Sequence, residues 1–185
     1  LGKRGLTLAQ LRTLFRDMEA ACNRDEWDSD ICWDKFTVKD FETHWAKGTH
    51  QGVKSYSAEF ADSGAHTADF LVTVAYATRM KDLMASIEWH AEARQLSESS
   101  VYWAWFCSLS PNEIRREFEL GRHPTRIVLP MDRDEHDSEL LGVVMVIDKS
   151  ATSLLRPNPV QELYDVMTNN EDMLVDIACA TGILS

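Results

Sequence analysis

The sequence predicts an α/β protein in which helices cover a mostly parallel sheet. Short, unbroken runs of β-branched and aromatic residues, typical of buried strands, alternate with segments whose apolar residues recur at helical spacing. The clearest run is GVVMVI at 142–147, which a polar loop separates from an apolar helical stripe of Val160, Leu163, Tyr164 and Met167. Strands and helices that alternate in this way indicate right-handed crossovers and a flavodoxin-like layout.

The same patterns place the other elements along the chain. The predicted helices are 8–22, which Thr7 would cap, 38–47, 80–96, 111–120, which Gly121 would end, and the segment that starts near 160. The predicted strands are 70–76, 101–107, 127–129, 142–147 and 173–178. Residues 1–66 are therefore expected to form a helical, loop-rich N-terminal extension packed on the core, and residues 67–185 the α/β domain.

The charge balance excludes two classes of partner. The 185 residues include 30 acidic and 19 basic side chains, for a net charge of −11. Such a chain is repelled by nucleic acid and by anionic membrane surfaces. No apolar stretch reaches the length of a transmembrane helix. We expect a soluble intracellular protein and leave the compartment open between cytoplasm and organelle.

The cysteines and histidines do not predict a metal site. The four cysteines show no CxxC spacing, so reduced thiols are favoured, although a Cys22–Cys32 disulfide stays open. His44, His50 and His66 match no zinc-ligand spacing. We therefore expect no bound metal.

Two carboxylates occupy positions where an α/β sheet carries its sites. Asp148 follows the strand at 142–147, and Glu162 lies near the start of the next helix. A glutamate there could hold a ribose or stabilise a developing cation. The ordinary interpretation, a helix glutamate near a positive N-terminus, is favoured by pattern alone.

A second acidic group lies on the predicted helix 80–96. The sequence IEWHAEAR places Glu88 and Glu92 one helical turn apart, whereas His90, between them in the sequence, faces elsewhere on the helix. The spacing favours a solvated face over a site.

Five segments carry a resemblance to a known family. They are LTLAQLR at 6–12, SYSAEFADS at 55–63, FLVTVAYA at 70–77, YWAWFCSLSP at 102–111 and GVVMVIDKSATSLLRPNPVQEL at 142–163. Over about residues 6–170 the chain resembles a family of TIR-like (Toll/interleukin-receptor-like) domains that is expanded in dinoflagellate algae. The resemblance implies a TIR-like fold for residues 67–185.

The resemblance also implies a site residue. Glu162 stands where TIR domains that cleave NAD have their catalytic glutamate, and Tyr76, Arg79 and Asp148 would then line the pocket. The polar signature positions of the family are replaced here, for example by Leu109 where it has an asparagine. The chain is thus identified as a divergent member with degenerate signature motifs.

The leading functional hypothesis is a non-catalytic TIR-like scaffold or a peripheral subunit of a larger assembly, without a cofactor. Its partners would be other proteins or further copies of itself, and an organellar complex such as a photosystem is one setting that the algal resemblance implies. Trp27, Trp33 and Trp45 are candidate interface residues, because aromatic side chains are favoured at interfaces. The alternative is that they pack the N-terminal segment onto the domain. The competing functional hypothesis is an NAD-cleaving hydrolase, with NAD as substrate and Glu162 as catalytic carboxylate.

Overall fold

The computed structural model describes residues 5–24, 31–45, 57, 66–121, 140–148, 151–155, 160–161, 163–164, 167–168 and 173–184. Within these residues the strands are β1 (Leu6–Thr7), β2 (Phe70–Val74), β3 (Val101–Ala104), β4 (Gly142–Val146), β5 (Leu174–Cys179) and β6 (Gly182–Leu184). The helices are α1 (Leu8–Asn23), α2 (Val38–Asp40), α3 (Met80–Ala93), α4 (Trp105–Ser108) and α5 (Pro111–Glu119). A π-helical stretch, Phe41–Trp45, continues α2, and a 3₁₀ turn spans Thr152–Leu155.

The described strands form one six-stranded mixed sheet in the order β1-β3-β2-β4-β5-β6. The four central strands are parallel, and the two outer strands pair antiparallel with their neighbours. The prediction of an α/β protein with a mostly parallel sheet is therefore confirmed. No helix of the described residues is long and apolar enough to cross a membrane.

The central strands are apolar because both of their faces are covered. Every residue of β2, β3 and β4 is buried, and parallel strands buried on both faces read as continuous apolar runs. Gly142 begins β4 at a close approach to β5. A Cβ atom on Gly142 would lie 2.8 Å from the carbonyl oxygen of Leu174, so this register needs a glycine.

The capping residues predicted from the sequence also lie at the ends of their helices. The Thr7 side chain accepts from the Gln10 amide, which forms a capping box at the start of α1. Helix α5 begins with Pro111 in its first turn. Gly121 follows its end with φ +66°, in the left-handed region that glycine adopts without strain.

The predicted strand 101–107 is wrong in its second half. The ladder with β2 ends at Ala104, and Trp105–Ser108 turns into the helix α4. This turn lets Trp105 pack on Tyr76 and Phe106 pack on Phe41, with ring centroids 4.7 and 5.4 Å apart. The predicted strand 70–76 also stops early, at Val74. The predicted strand 127–129 lies outside the described residues.

The N-terminal segment shares its core with the sheet. Leu11, Leu14 and Met18 of α1 belong to the same cluster of buried side chains as Leu71 of β2. Strand β1 extends the sheet itself by pairing with β3. The division at residue 66 into an extension and a domain stays a prediction.

Candidate functional site

Two of the predicted pocket residues lie at the same edge of the sheet. Strands β2 and β4 are neighbours, with Val74 opposite Val146, so their carboxyl ends lie side by side. Tyr76 and Asp148 each follow one of these ends by two residues. The edge that an α/β sheet uses for its sites therefore carries both side chains.

Tyr76 contributes an aromatic surface to this edge. Its ring packs against Trp105, at a centroid distance of 4.7 Å, and against Phe118, at 6.4 Å. Burial, together with the negative charge of Glu42, raises the pKa of Tyr76 well above its ordinary value. Tyr76 therefore stays protonated at neutral pH and cannot act there as a base.

Arg79 forms an ion pair with Asp82 of the same helix. Arg79 occupies the N-cap position of α3 without a capping side-chain hydrogen bond. It donates from Nε to Asp82 Oδ2 at 2.7 Å, and its Nη2 lies 2.6 Å from the same oxygen. This pair of residues three apart neutralises the guanidinium at the start of the helix.

The loop after β4 is held by hydrogen bonds to the strand. The Ala151 amide donates to the carbonyl oxygen of Asp148 at 2.9 Å. The buried Ser153 hydroxyl donates to the carbonyl oxygen of Val146, also at 2.9 Å. The backbone that follows Asp148 therefore turns back onto β4.

Apolar side chains fill the end of β3. Trp105, Phe106 and Leu109 are all buried, with Leu109 only 4% exposed. Leu109 therefore adds no polar group to this end of the sheet.

The remaining predicted site residues are only partly described. Glu162 and Trp27 lie outside the described residues, and so does the side chain of Trp45. Trp33 is half-buried and packs against Phe15 and Phe36, at centroid distances of 6.4 and 6.2 Å. This contact agrees with the packing interpretation of Trp33, the alternative to an interface role.

The crossover between β4 and β5 exposes large apolar side chains. Leu155 is 80% exposed, Tyr164 61% and Met167 57%. Leu154 and Val160 are exposed as well, whereas Leu163 is half-buried. The predicted apolar stripe thus lies mainly on the surface. We call Leu154, Leu155, Val160, Tyr164 and Met167 the crossover surface.

A buried polar network, which the sequence patterns above do not predict, joins α3 to strands β3 and β5. His90 of α3, fully buried, lies between Tyr102 of β3 and Asp176 of β5. Because the Asp176 carboxylate can only accept, His90 Nε2–H donates to its Oδ2 at 3.1 Å. Nδ1 then accepts from the Tyr102 hydroxyl at 2.9 Å. Arg94 donates two hydrogen bonds to Asp176, from Nε at 2.9 Å and from Nη2 at 2.6 Å.

The charges in this network follow from burial and pairing. Burial lowers the pKa of His90, and the nearby Asp176 offsets this only in part. Burial alone would raise the pKa of Asp176, but hydrogen bonds and charge from Arg94, with a further contribution from His90, hold it below its ordinary value. The network therefore contains a neutral histidine and an Asp176–Arg94 ion pair.

The network joins the helix to the sheet, and its inner part is closed to solvent. Tyr102 and His90 are both 0% exposed, so neither can meet a ligand from solvent. Their hydrogen bonds join α3 to β3 and β5. His90 therefore lies off the face of Glu88 and Glu92, as expected, and Glu92 is exposed, whereas Glu88 is half-buried.

All four cysteines are free thiols, so the Cys22–Cys32 disulfide is not formed. The described residues contain no group of three or more side chains that could hold a metal ion. Comparison of the chain with protein-family models, with curated proteins and with solved structures gives no match.

Proposed function

We propose that the chain is a non-catalytic, TIR-like scaffold or peripheral subunit that associates with other protein chains through the crossover surface. The observation that carries this proposal is the exposure of Leu155, Tyr164 and Met167. All three belong to the one crossover segment between β4 and β5, and exposed apolar patches mark interaction sites. Aromatic residues and methionine are enriched in the cores of protein interfaces.

The strand order supports the flavodoxin-like part of the proposal. Numbered along the chain, the four parallel strands follow the spatial order 2-1-3-4. This is the beginning of the 2-1-3-4-5 order of flavodoxin-like sheets.

Three side chains at the carboxyl edge of the sheet support a non-catalytic role. Tyr76 is protonated and packed against aromatic rings, and Arg79 is paired with Asp82. The buried Leu109 adds no polar group. General acid–base chemistry needs a titratable group with a suitable pKa in reach of the substrate. Tyr76, Arg79 and Leu109 do not supply one, which leaves Asp148 among the residues described at this edge.

Sedimentation velocity over a hundredfold range of concentration tests association of the chain with itself. We expect the sedimentation coefficient to rise with concentration, and Leu155→Asp to abolish the rise. Leu120→Asp is the matched control, since Leu120 is also exposed but follows α5. A rise that survives Leu155→Asp would contradict the crossover surface as the contact. A monomer at every concentration would leave only a different chain as partner.

The competing function, cleavage of NAD by Glu162, is tested on the same sample. The purified chain is incubated at high concentration with NAD, and nicotinamide release is followed beside Glu162→Ala. We expect no release from either protein, with folding verified by circular dichroism. Release by the parent alone would make the chain an NAD hydrolase and overturn the non-catalytic proposal.

A further inference from the structure

A second surface feature, a cleft of about 590 Å³, lies between the start of α1 and the end of α3. This volume is within the range of ligand-binding clefts. The backbone on one side is fixed, because the Leu8 amide donates to the Ser100 carbonyl oxygen at 2.9 Å and the Ala9 amide to that of Glu98 at 3.2 Å. The elements that form this cleft do not include the crossover between β4 and β5.

The floor of the cleft is apolar. Leu8 and Ala91 line it and are buried, and the half-buried Leu96 lies beside them. A floor of this kind suits the aliphatic stem of a lysine or arginine side chain, which lies along apolar surface while its charged end stays at the rim.

The rim of the cleft is acidic. Glu88, Glu92 and Glu98 line it together with Arg12, so the four charges sum to −2. Arg12 binds Glu88 through two hydrogen bonds, Nε to Oε1 at 2.7 Å and Nη2 to Oε2 at 2.5 Å, and also contacts Glu98 through Nη1. Arg12 therefore holds two carboxylates in place without neutralising the rim.

Glu92 is the rim carboxylate that Arg12 does not bind. It is exposed, and no ion pair is formed with it in the part of the chain that the structure describes. An incoming ammonium or guanidinium group would meet Glu92 together with the outer lone pairs of Glu88 and Glu98, all above an apolar floor.

We propose that this cleft docks a lysine- or arginine-bearing segment of a partner protein. Charge complementarity selects the occupant, since an anionic ligand is repelled by the net charge of the rim. A metal ion is not favoured, because two of the three glutamates already bind Arg12. The inference is independent of the crossover surface, which other elements form.

The test uses the full chain and a fluorescein-labelled hexalysine peptide, with binding followed by fluorescence anisotropy at about 0.15 M salt, where the Debye length is about 8 Å. Glu92→Gln removes the unpaired rim charge. Glu119→Gln is the matched control, because it makes the same change in net charge on the exposed surface of α5, outside the cleft.

We expect Glu92→Gln to raise the dissociation constant about three- to fivefold, as is typical of one partly exposed charge. Glu119→Gln should change it by less than about 1.5-fold, since a distant exposed charge is screened by salt. In ¹⁵N-labelled protein, peptide binding should shift the amide signals of Ala91, Gln95 and Ser97. Equal effects of the two substitutions would mean that hexalysine binds only to the overall negative charge. That result, or no binding by the parent, would overturn the proposal.

Discussion

Replacing Asp176 by alanine is expected to destabilise the fold by about 3 kcal/mol. The Asp176 carboxylate is nearly buried and accepts three hydrogen bonds, one from His90 and two from Arg94. Its removal takes away these three hydrogen bonds and leaves the buried His90 Nε2–H without this acceptor.

The magnitude follows from the exposure of the two donors. Leaving the buried His90 donor unsatisfied costs about 1–3 kcal/mol. The Arg94 side chain is 39% exposed and can be rehydrated, so its ion pair is discounted to about 1 kcal/mol. For a chain of this size, a loss of about 3 kcal/mol lowers the melting temperature by roughly 6–12 °C.

Urea denaturation, followed by tryptophan fluorescence and by circular dichroism, measures this loss. Glu119→Ala serves as control, since its ion pair with Arg115 is exposed and should contribute less than about 0.5 kcal/mol. A free energy of unfolding for Asp176→Ala within about 0.5 kcal/mol of the parent would refute the assignment of the network as a structural joint.

Three further predictions concern acid stability, the sheet and the thiols. Because burial holds the pKa of His90 below 6.5 in the folded chain, the neutral ring contributes stability that is present above pH 6.5 and is lost as the pH falls through the folded pKa. Between pH 7.5 and pH 5.5 the parent should therefore lose up to about 1.4 kcal/mol more than His90→Gln in urea denaturation, and equal losses would contradict this. Gly142→Ala should cost about 2 kcal/mol, since its Cβ atom would meet the Leu174 carbonyl oxygen; an unchanged melting temperature would count against the register of β4 and β5. In native protein a thiol-reactive dye should label the exposed Cys32 within minutes, whereas Cys107, whose pKa burial raises to about 12, should react only on unfolding, as mass spectrometry of the labelled peptides would show.

The core of the fold could be predicted because its signals are local and strong. Strands β2 and β4 are buried on both faces, and this leaves an unbroken apolar run that a sequence shows directly. The caps at Thr7 and Gly121 are equally local. The edge strands β1 and β6 could not be predicted, because two or three residues carry no periodicity and their pairing is decided by the sheet beside them.

The end of β3 shows where local pattern misleads. Aromatic residues are enriched in strands, so the pattern extends the strand through Cys107. Helix α4 begins at Trp105 instead, where packing against Tyr76 outweighs the local preference. Tertiary contacts of this kind involve residues far apart in the chain and leave no signal in the local sequence.

In the candidate site, too, some placements could be predicted from the sequence and others could not. The placement of Tyr76 and Asp148 at one edge follows from the ends of two parallel strands, which the sequence shows. The sequence places His90 off the face of Glu88 and Glu92 but assigns it no partner, although it lies three residues after Ile87 and seven after Leu83, on the buried face of α3. Two features of the sequence indicate the network. One is the helical spacing of His90 with Leu83 and Ile87, and the other is Asp176, the lone aspartate in the apolar run of β5, because a buried carboxylate requires a partner.

Photo-crosslinking at the crossover surface tests the proposed scaffold function most directly. A benzophenone amino acid is placed at Leu155 or, as control, at Leu120, and the chain is irradiated in the cells that produce it. We expect a discrete crosslinked species with a protein partner, or with a second copy, from position 155 and not from position 120. No crosslink at 155, or the same species from both positions, would contradict the proposal that the crossover surface is an interface.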